Sequence, residues 1–329
     1  MDWFESLTGP RYALAPMVGQ CDLPFRILTR QHGCNVVYTQ MIEAARFLND
    51  ETYRHQVFDS RRGDGNSSTD RPLVVQIAGC DPNVMIACSK LLENHCDAID
   101  INLGCPQQRA IDNNYGSALL VPKHWETVAT IVRELSQICN VPIWCKIRCI
   151  PGENKDHNLT VAFAQLMEKS GVSLIALHAR YPSTSRRRNG AAFLEAVKAV
   201  KTAVSIPVLT NGNVVEYSDL VKNLELTGAD GIMVGEALLR NPWLFSGKEA
   251  NATLVIQEYL TICMGVDPSA FSIVAARQHV RNILRPDKRS GNQKFRDALG
   301  MVETANEILS VLLQYGFLDV KASSIPELE

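Results

Sequence analysis

The chain has 329 residues, of which 46% are hydrophobic and 21% charged, and its formal net charge at neutral pH is −2. These proportions are typical of a soluble globular protein, and no apolar run is long enough to cross a membrane. The slightly acidic balance excludes a protein that coats nucleic acid with its whole surface, although it is compatible with a local basic face.

The ten cysteines indicate a reducing compartment. None is spaced as Cys-x-x-Cys, and the N-terminus lacks the basic and apolar regions of a secretory signal. We therefore expect free thiols, no metal site and a location in the cytosol or the nucleus. We also expect a monomer that does not bind a membrane.

Short apolar segments alternate with amphipathic segments along the chain, which is the pattern of strands followed by helices. The predicted strands are 12–17, 36–42, 73–78, 98–101, 142–148, 174–178, 207–212 and 231–235. The helices predicted between them are 23–32, a stretch after residue 42, 82–94, 125–139, 160–170, 191–204 and 218–227. Residues 60–70 are rich in Gly, Ser, Asp and Arg and are predicted to be an exposed, mobile loop.

Eight strand–helix units with almost continuously apolar strands predict an α/β protein with a closed TIM (β/α)8 barrel. An open doubly wound sheet is the alternative, but the sequence has no G-x-G-x-x-G phosphate loop. Strand signals end near residue 246, and 253–264, 271–284 and 295–313 are each predicted to be a helix. We accordingly expect a catalytic barrel over residues 1–245 and a small helical domain over residues 246–329.

The segment AIDINLGCPQ at residues 98–107 contains the strongest candidate for a catalytic residue. Its first four residues are typical of a buried strand, and Gly104 and Pro106 then end that pattern. Cys105 is thus predicted to lie on a turn just past the C-terminal end of a strand, where a thiol can face a ligand. Free cysteines are more often buried core residues, so this one could also be core.

Further polar residues follow the other predicted strands, and in a barrel the chemistry lies at these C-terminal strand ends. Each could instead be a hydrogen-bonded core residue or half of a salt bridge. Together, a lysine, a histidine and several amides around one cavity suit a cofactor with a phosphate and a planar ring. The residues predicted at these strand ends are Pro16, Met17, Gln76, Asn102, Lys146, Arg148, His178, Arg180, Asn211, Gly212, Asn213, Gly235 and Glu236.

Seven motifs, in this order, resemble those of the tRNA-dihydrouridine synthases. They are APMVGQCDLPFR at 15–26, QIAG at 76–79, DINLGCPQ at 100–107, KIR at 146–148, HAR at 178–180, TNGNV at 210–214 and GIMVGEALLRNPWLF at 231–245. The resemblance covers the barrel from about residue 11 to 245. DINLGCPQ and the Gly235–Glu236 pair are similar to the eukaryotic branch that acts on D-loop uridines 16 and 17. The resemblance implies that the chain reduces tRNA uridine with FMN as cofactor and NADPH as reductant.

The same resemblance implies a role for each matching residue. Pro16, Met17 and Val18 would line the flavin, Gln76 and Lys146 would contact its polar edge, and His178, Asn211, Gly212, Asn213, Gly235 and Glu236 would hold the phosphate. Asn102 and Arg148 match positions that hold the target uracil. Hydride would pass from N5 of reduced FMN to C6 of uracil, and Cys105 would protonate C5. The chain departs from the family at Glu236, where many members have arginine, and in YPSTSRRRNGAAF after the sixth strand.

Two basic clusters are candidates for contacts with the tRNA backbone. Arg186, Arg187 and Arg188 lie on the loop after the sixth strand, and Arg277, Arg281, Arg285, Lys288, Arg289, Lys294 and Arg296 lie in the C-terminal region. Arg277, Arg281 and Arg285 recur at every fourth residue and are predicted to share one helical face.

Two alternative functions remain open from the residues alone. One is a barrel aldolase that uses Lys146 as a Schiff-base amine, which needs no flavin and leaves the Cys105 motif unexplained. The other is a non-catalytic tRNA-binding protein that keeps the barrel as a scaffold, because barrels serve many functions.

Overall fold

The structure is a computed structural model that describes residues 3–66, 68–152, 156–183, 190–267 and 270–318. Its strands are β1 (Tyr12–Leu14), β2 (Val37–Tyr38), β3 (Ile42–Glu43), β4 (Leu73–Ala78), β5 (Ala98–Leu103), β6 (Ile143–Arg148), β7 (Leu174–His178), β8 (Val208–Asn211) and β9 (Gly231–Val234). Its helices are α1 (Trp3–Ser6), α2 (Leu23–Gln31), α3 (Ala44–Asn49), α4 (Glu51–Val57), α5 (Pro82–Leu92), α6 (Gln108–Asp112), α7 (Trp125–Ile138), α8 (Asn158–Ser170), α9 (Leu194–Ala203), α10 (Tyr217–Thr227), α11 (Glu236–Arg240), α12 (Ala252–Gly265), α13 (Ile273–Ile283), α14 (Gln293–Met301) and α15 (Ala305–Gln314).

All strand pairs are parallel, and the strands follow the order β1-β9-β8-β7-β6-β5-β4-β2, with β3 also on β4. A bridge between Ala13 and Val36 joins the first and second strands of the ring, so the predicted (β/α)8 barrel is confirmed. The predicted strand 36–42 is split into β2 and β3. Between them the Thr39 hydroxyl, instead of a backbone carbonyl, accepts the backbone N–H of Gln76 at 3.1 Å.

The interior of the barrel is apolar toward the N-terminal ends of the strands, and α1 closes that end. Trp3 donates its indole N–H to the carbonyl of Asp97, just before β5, and stacks on Trp144 with ring centroids 5.3 Å apart. Phe4 meets the same Trp144 ring edge-on at 5.7 Å. The residues of this interior layer are Phe4, Ala13, Ala15, Val36, Tyr38, Val74, Ala98, Trp144, Leu174, Ala176, Leu209 and Met233.

The prediction that residues 60–70 form an exposed loop holds for Ser60, Arg61, Asn66, Ser68 and Thr69 but is wrong for Asp70. Asp70 is fully buried, and both of its carboxylate oxygens accept hydrogen bonds from the buried Arg26. Arg26 also donates to Asp64 at 2.7 Å. Burial disfavours the charge on Arg26, but the two carboxylates outweigh it and raise the pKa of the guanidinium above its usual range. Two acidic residues of the segment, Asp64 and Asp70, therefore belong to an internal ion cluster.

Residues 295–313, predicted as one helix, form the two helices α14 and α15. The hydroxyl of Thr304 accepts the backbone N–H of Glu307, and the Glu307 carboxylate accepts the backbone N–H of Glu303 at 2.7 Å. This arrangement starts a new helix, and its Thr-x-x-Glu signature is visible in the sequence. Among the described residues, no helix has the length and apolarity that a bilayer crossing requires.

The C-terminal helices pack directly on the barrel through a buried polar cluster around Asp22. The Tyr259 hydroxyl donates to one carboxylate oxygen of Asp22 at 3.0 Å, and His279 Nε2 lies 3.0 Å from the other. His279 is fully buried and stacks on Phe25 with ring centroids 4.3 Å apart. Apolar packing is continuous from the barrel into these helices. The division into two domains at residue 245 therefore stays a prediction.

We expect Asp22→Ala to destabilise the protein, because it leaves the buried Tyr259 hydroxyl and His279 Nε2 without their shared acceptor. Each buried polar group that loses its partner costs about 1–3 kcal/mol. Calorimetric melting measures the effect, and the exposed Glu225→Ala serves as the matched control. Equal melting temperatures for the two variants would show that the cluster contributes nothing to docking.

Candidate active site

The C-terminal end of the barrel opens into a cavity of about 540 Å³. Because successive strand residues point to opposite faces, the inward positions lie two residues apart. On β4, Val74 and Gln76 are successive inward residues, and on β6 so are Trp144 and Lys146. In each pair the second residue lies closer to the mouth of the barrel. The apolar interior layer is therefore covered by a polar layer, as the strand-end residues predicted.

Every barrel residue predicted for the site lines this one cavity. They are Pro16, Met17, Val18, Gln76, Asn102, Cys105, Lys146, Arg148, His178, Asn211, Gly212, Asn213, Gly235 and Glu236. Met41, Tyr181 and Phe193 also line the cavity although they were not predicted, and so does Arg180, a strand-end residue to which no role was assigned. Met41 follows the interrupted second strand, so the predicted continuous strand concealed its position.

Cys105 lies on the turn after β5, as predicted, and side chains of two strands hold that turn. The Asn102 Oδ1 accepts the backbone N–H groups of Gly104 at 3.1 Å and of Cys105 at 2.9 Å. Arg148 Nε donates to the Gly104 carbonyl at 2.7 Å. Burial raises the pKa of the Cys105 thiol. The thiol is therefore protonated at neutral pH and suits a proton donor better than a nucleophile.

Asn102 is the end of a chain of buried side-chain hydrogen bonds that crosses from β5 to β4 and back. Its Nδ2 donates to Gln76 Oε1 at 2.8 Å, and Gln76 Nε2 donates to Asp100 Oδ2 at 2.8 Å. Gln76 and Asp100 are fully buried. Burial raises the pKa of Asp100 to about 7, although the hydrogen bond from Gln76 and the charge of Lys146 both lower it.

Lys146 stands beside Asn102 in the β5–β6 register and faces the cavity. Burial, followed by the charge of Arg148, lowers the pKa of Lys146 to about 8. Asp100 and Cys105 act in the opposite direction. The side chain is thus a cation at neutral pH that loses its proton easily. This property suits stabilisation of a negative charge and also, in principle, an amine nucleophile.

The wall of the cavity that follows β7 and β8 includes Arg180 and Asn213. Arg180 NH2 donates to Asn213 Oδ1 at 3.0 Å, and Arg180 NH1 lies 3.2 Å from His178 Nε2. The Asn213 side chain also accepts the backbone N–H of Ala192 at 2.7 Å and donates to its carbonyl at 3.1 Å. The Asn213 amide is therefore committed to holding the loop, and what it can offer a ligand is its backbone.

The loop after β8 approaches its neighbours closely, as the glycine in it predicted. Gly212 has φ +136°, and a Cβ there would lie 2.7 Å from Cβ of Ala192. At the start of the following helix α10, however, some backbone N–H groups are already occupied. The carboxylate of Asp219 accepts the backbone N–H groups of Val215 and Glu216, within a complete capping box. These two N–H groups are therefore occupied within the protein, and the loop itself is the candidate to hold a phosphate.

The predicted tRNA contacts do not form one arginine face. Arg277 donates to the carbonyl of Gly300 and so serves an internal contact. Helix α13 ends at Ile283, so Arg285 lies beyond it. Pro286 accounts for this, because a residue before proline is disfavoured in helical conformation. Arg186, Arg187 and Arg188 lie outside the described residues.

Arg281 and Arg285 instead line a second groove of about 580 Å³, with further charged side chains along it. The charged residues of this groove are Arg281, Arg285, Asp287, Lys288, Arg296 and Asp297. It lies near the mouth of the barrel, because Asn282 on α13 donates to Gln20 at 3.1 Å. Gln20 belongs to the loop that begins at the cavity-lining Pro16.

Comparison with known proteins places these features in context. The model of the dihydrouridine synthase (Dus) family matches residues 13–310. A mouse protein named tRNA-dihydrouridine(16/17) synthase (NAD(P)(+))-like is 35% identical over 309 residues, which is 94% of this chain and 62% of the relative. The chain therefore spans less than two thirds of that relative's length.

Two further relatives are similar over comparable lengths. The Saccharomyces cerevisiae tRNA-dihydrouridine(16/17) synthase (NAD(P)(+)) is 34% identical over 86% of this chain and 67% of its own length. The tRNA-dihydrouridine synthase B of Pectobacterium carotovorum is 31% identical over 93% of this chain and 95% of its own. The solved structure of histamine dehydrogenase from Rhizobium sp. 4-9 has a TM-score of 0.54 at 13% identity, over 77% of this chain and 49% of that chain. That likeness is one of fold alone.

Proposed function

The chain belongs to the dihydrouridine synthase family, and from this membership we propose that it reduces uridine to 5,6-dihydrouridine in the D-loop of tRNA. The names of its mouse and yeast relatives support positions 16 and 17 and a nicotinamide electron donor, which we propose to be NADPH. The observation that carries the proposal is the convergence of Cys105, Lys146 and Arg148 on one barrel cavity. We further propose that residues 1–245 form the catalytic domain, that residues 246–329 bind tRNA, and that the protein acts as a monomer in the cytosol or nucleus.

The cavity fits FMN, which we propose as the cofactor. A volume of about 540 Å³ lies within the usual range for ligand pockets, roughly 300–1,000 Å³. Apolar side chains form one wall and cationic side chains another, as a ring with a phosphate tail requires. When bound, FMN supplies the hydride transfer that side chains cannot perform. The proposed FMN contacts are Pro16, Met17, Val18, Gln76, Lys146, His178, Asn211, Gly212, Asn213, Gly235 and Glu236.

Two of these contacts must use the backbone. The Asn213 amide is occupied by Arg180 and Ala192, and the Glu236 carboxylate repels a phosphate. Charge complementarity then depends on the guanidinium of Arg180, which lines the same cavity.

Cys105 is proposed to donate a proton to C5 of the target uracil. Its raised pKa keeps the proton in place at neutral pH, and the turn held by Asn102 and Arg148 fixes its position. Asn102 and Arg148 also line the cavity and are proposed to hold the uracil itself. A base can reach the barrel mouth only after leaving its stack, so we propose an extruded nucleotide.

A Schiff-base aldolase is the second candidate, and the lowered pKa of Lys146 favours it. The absorption spectrum of the purified protein separates the two functions, because only the reductase binds a flavin. The decisive test incubates the protein with NADPH and unmodified tRNA and measures dihydrouridine at positions 16 and 17. A colourless protein that forms none of it would contradict the reductase proposal, and tRNA binding without product would favour the non-catalytic scaffold.

We expect the double variant Arg281→Ala and Arg285→Ala to bind tRNA with a flatter salt dependence. Each lost phosphate contact lowers the slope of log affinity against log salt by about 0.7–0.9. Titrations of labelled tRNA at several salt concentrations measure the slope. The exposed pair Lys123→Ala and Lys198→Ala, on other faces of the barrel, controls for net charge. Equal slopes for the two double variants would move the tRNA footprint away from this groove.

A further inference from the structure

The mechanism proposed above gives no role to Asp100, although it is the least expected polar residue of the barrel interior. Its side chain is fully buried on β5, opposite Gln76 in the β4–β5 register. Oδ2 accepts the hydrogen bond from Gln76, whereas Oδ1 is buried and finds no partner among the described residues. A buried carboxylate oxygen without a partner is costly, so a hydrophobic residue would suit this position better on stability grounds.

The chain of hydrogen bonds from Asp100 to Cys105 has a defined direction. Above its pKa of about 7, Asp100 is ionised and can only accept, so Gln76 then turns its Nε2 toward it and its Oε1 toward Asn102. At the other end, the backbone N–H groups of Gly104 and Cys105 can only donate, so Asn102 must turn its Oδ1 toward them. The two ends require the same orientation of both amides.

This orientation decides what the two amides offer to the cavity. The oxygens of Gln76 and Asn102 are used inside the chain of hydrogen bonds, and each NH2 group has one N–H left. Both side chains line the cavity. The pair therefore presents donors, which complement the carbonyl oxygens of a pyrimidine-like ring.

We propose that Asp100 is a positioning residue that fixes the orientation of the Gln76 and Asn102 amides and, through them, the cofactor contact and the Cys105 turn. The effect on the cofactor rests on the function proposed above, whereas the effect on the turn does not. Asp100 itself touches neither ligand in this assignment, because Gln76 lies between it and the cavity.

The first test titrates flavin-free protein with FMN and follows the quenching of flavin fluorescence. We expect Asp100→Ala to raise the dissociation constant about 10- to 100-fold, the range of one lost charged hydrogen bond. Asp100→Asn keeps an acceptor for Gln76 while the backbone end still sets the orientation, so its effect should stay below about threefold. Ile101→Val perturbs the outward face of the same strand and should leave the dissociation constant unchanged.

A double variant distinguishes a positioning role of Asp100 from a direct effect of its charge on FMN affinity. If Asp100 acts through Gln76, adding Asp100→Ala to Gln76→Ala should cause no further loss of FMN affinity. Three outcomes would overturn the proposal. They are additive losses of FMN affinity in the double variant, an affinity of Asp100→Asn as low as that of Asp100→Ala, and an equal loss of affinity in Ile101→Val. Circular dichroism melts identify any variant that fails to fold. If Asp100→Ala is one of them, Asp100→Leu replaces it with the same expected loss, because leucine removes the acceptor but fills the buried position.

The second test needs no cofactor. Alkylation of Cys105 by iodoacetamide, followed by peptide mass spectrometry in flavin-free protein, reports whether the turn is held. We expect the rate to rise by about threefold or more in Asp100→Ala and to stay unchanged in Ile101→Val. If the native protein binds no FMN, the proposed function fails while this rate still tests Asp100. An unchanged rate in Asp100→Ala overturns the positioning role.

Discussion

Replacing Cys105 by alanine is expected to lower the rate of dihydrouridine formation by about a hundred- to ten-thousand-fold, the usual contribution of a general acid. The half-buried thiol is the proton donor in the proposed reaction, and its raised pKa keeps it protonated at neutral pH. Alanine keeps the backbone N–H that Asn102 binds, so the turn should persist. Mass spectrometry of nucleosides from treated tRNA measures the rate.

The same variant should keep its flavin and continue to oxidise NADPH with oxygen as acceptor, because that half of the reaction needs no proton from Cys105. Cys139→Ala is the matched control, since Cys139 is also partly exposed but follows α7 at the other end of the barrel. Undiminished dihydrouridine formation in Cys105→Ala would assign the proton to another group.

Lys146→Met is expected to slow reduction of the flavoprotein by NADPH about 10²- to 10³-fold, the range for losing one electrostatic stabiliser. The ammonium supplies positive charge where the bound cofactor becomes more negative. Stopped-flow absorbance measures the rate, with Lys198→Met on the exposed face of α9 as control. A normal rate at full flavin occupancy would leave Lys146 with a structural role only.

The pH dependence of FMN binding follows from the lowered pKa of Lys146, about 8. The protonated form attracts the anionic cofactor, so the affinity of native protein should fall as pH rises through about 8. Lys146→Met should lack this fall. A fall of equal size in the variant would assign the titration to another group.

Stability should change in the opposite direction to binding. Burial disfavours the charged lysine, so at pH 7 the flavin-free Lys146→Met variant should be more stable than native protein by on the order of 1 to 3 kcal/mol. This cost is present below pH 8 and disappears as the pH rises toward the unfolded value of 10.5, so the difference should close in that interval. Denaturant titrations at both ends of the interval measure it.

The barrel and most of its cavity could be predicted because the required information is local. Gln76 and Lys146 interrupt strands that are otherwise apolar, and parallel strands bring their C-terminal ends together whatever lies between them. The break before Thr304 and the end of α13 before Pro286 were also visible in the sequence. At the first place the helical spacing of apolar residues hides the break, and at the second the four-residue spacing of the arginines hides that Arg285 follows the helix.

Other features depend on partners that the sequence does not identify. Arg26 neutralises Asp70 from 44 positions away, and His279 meets Asp22 across 257 positions. No local pattern distinguishes such residues from solvated ones. Asp100 is similar, because one acid in a strand is uninformative until its neighbour on β4 is known.

The N-terminal helix that fills the lower end of the barrel has a consequence for the order of events. With Trp3 and Phe4 packed on Trp144, the described residues leave the cavity accessible from the mouth alone. In the proposed reaction NADPH and tRNA must both reach that mouth, and neither can enter from below while the other is seated. Catalysis would then consist of two half-reactions in strict alternation, with the spent nicotinamide leaving before the nucleotide arrives. A docked tRNA would also prevent NADPH from reducing the enzyme again until the tRNA dissociates.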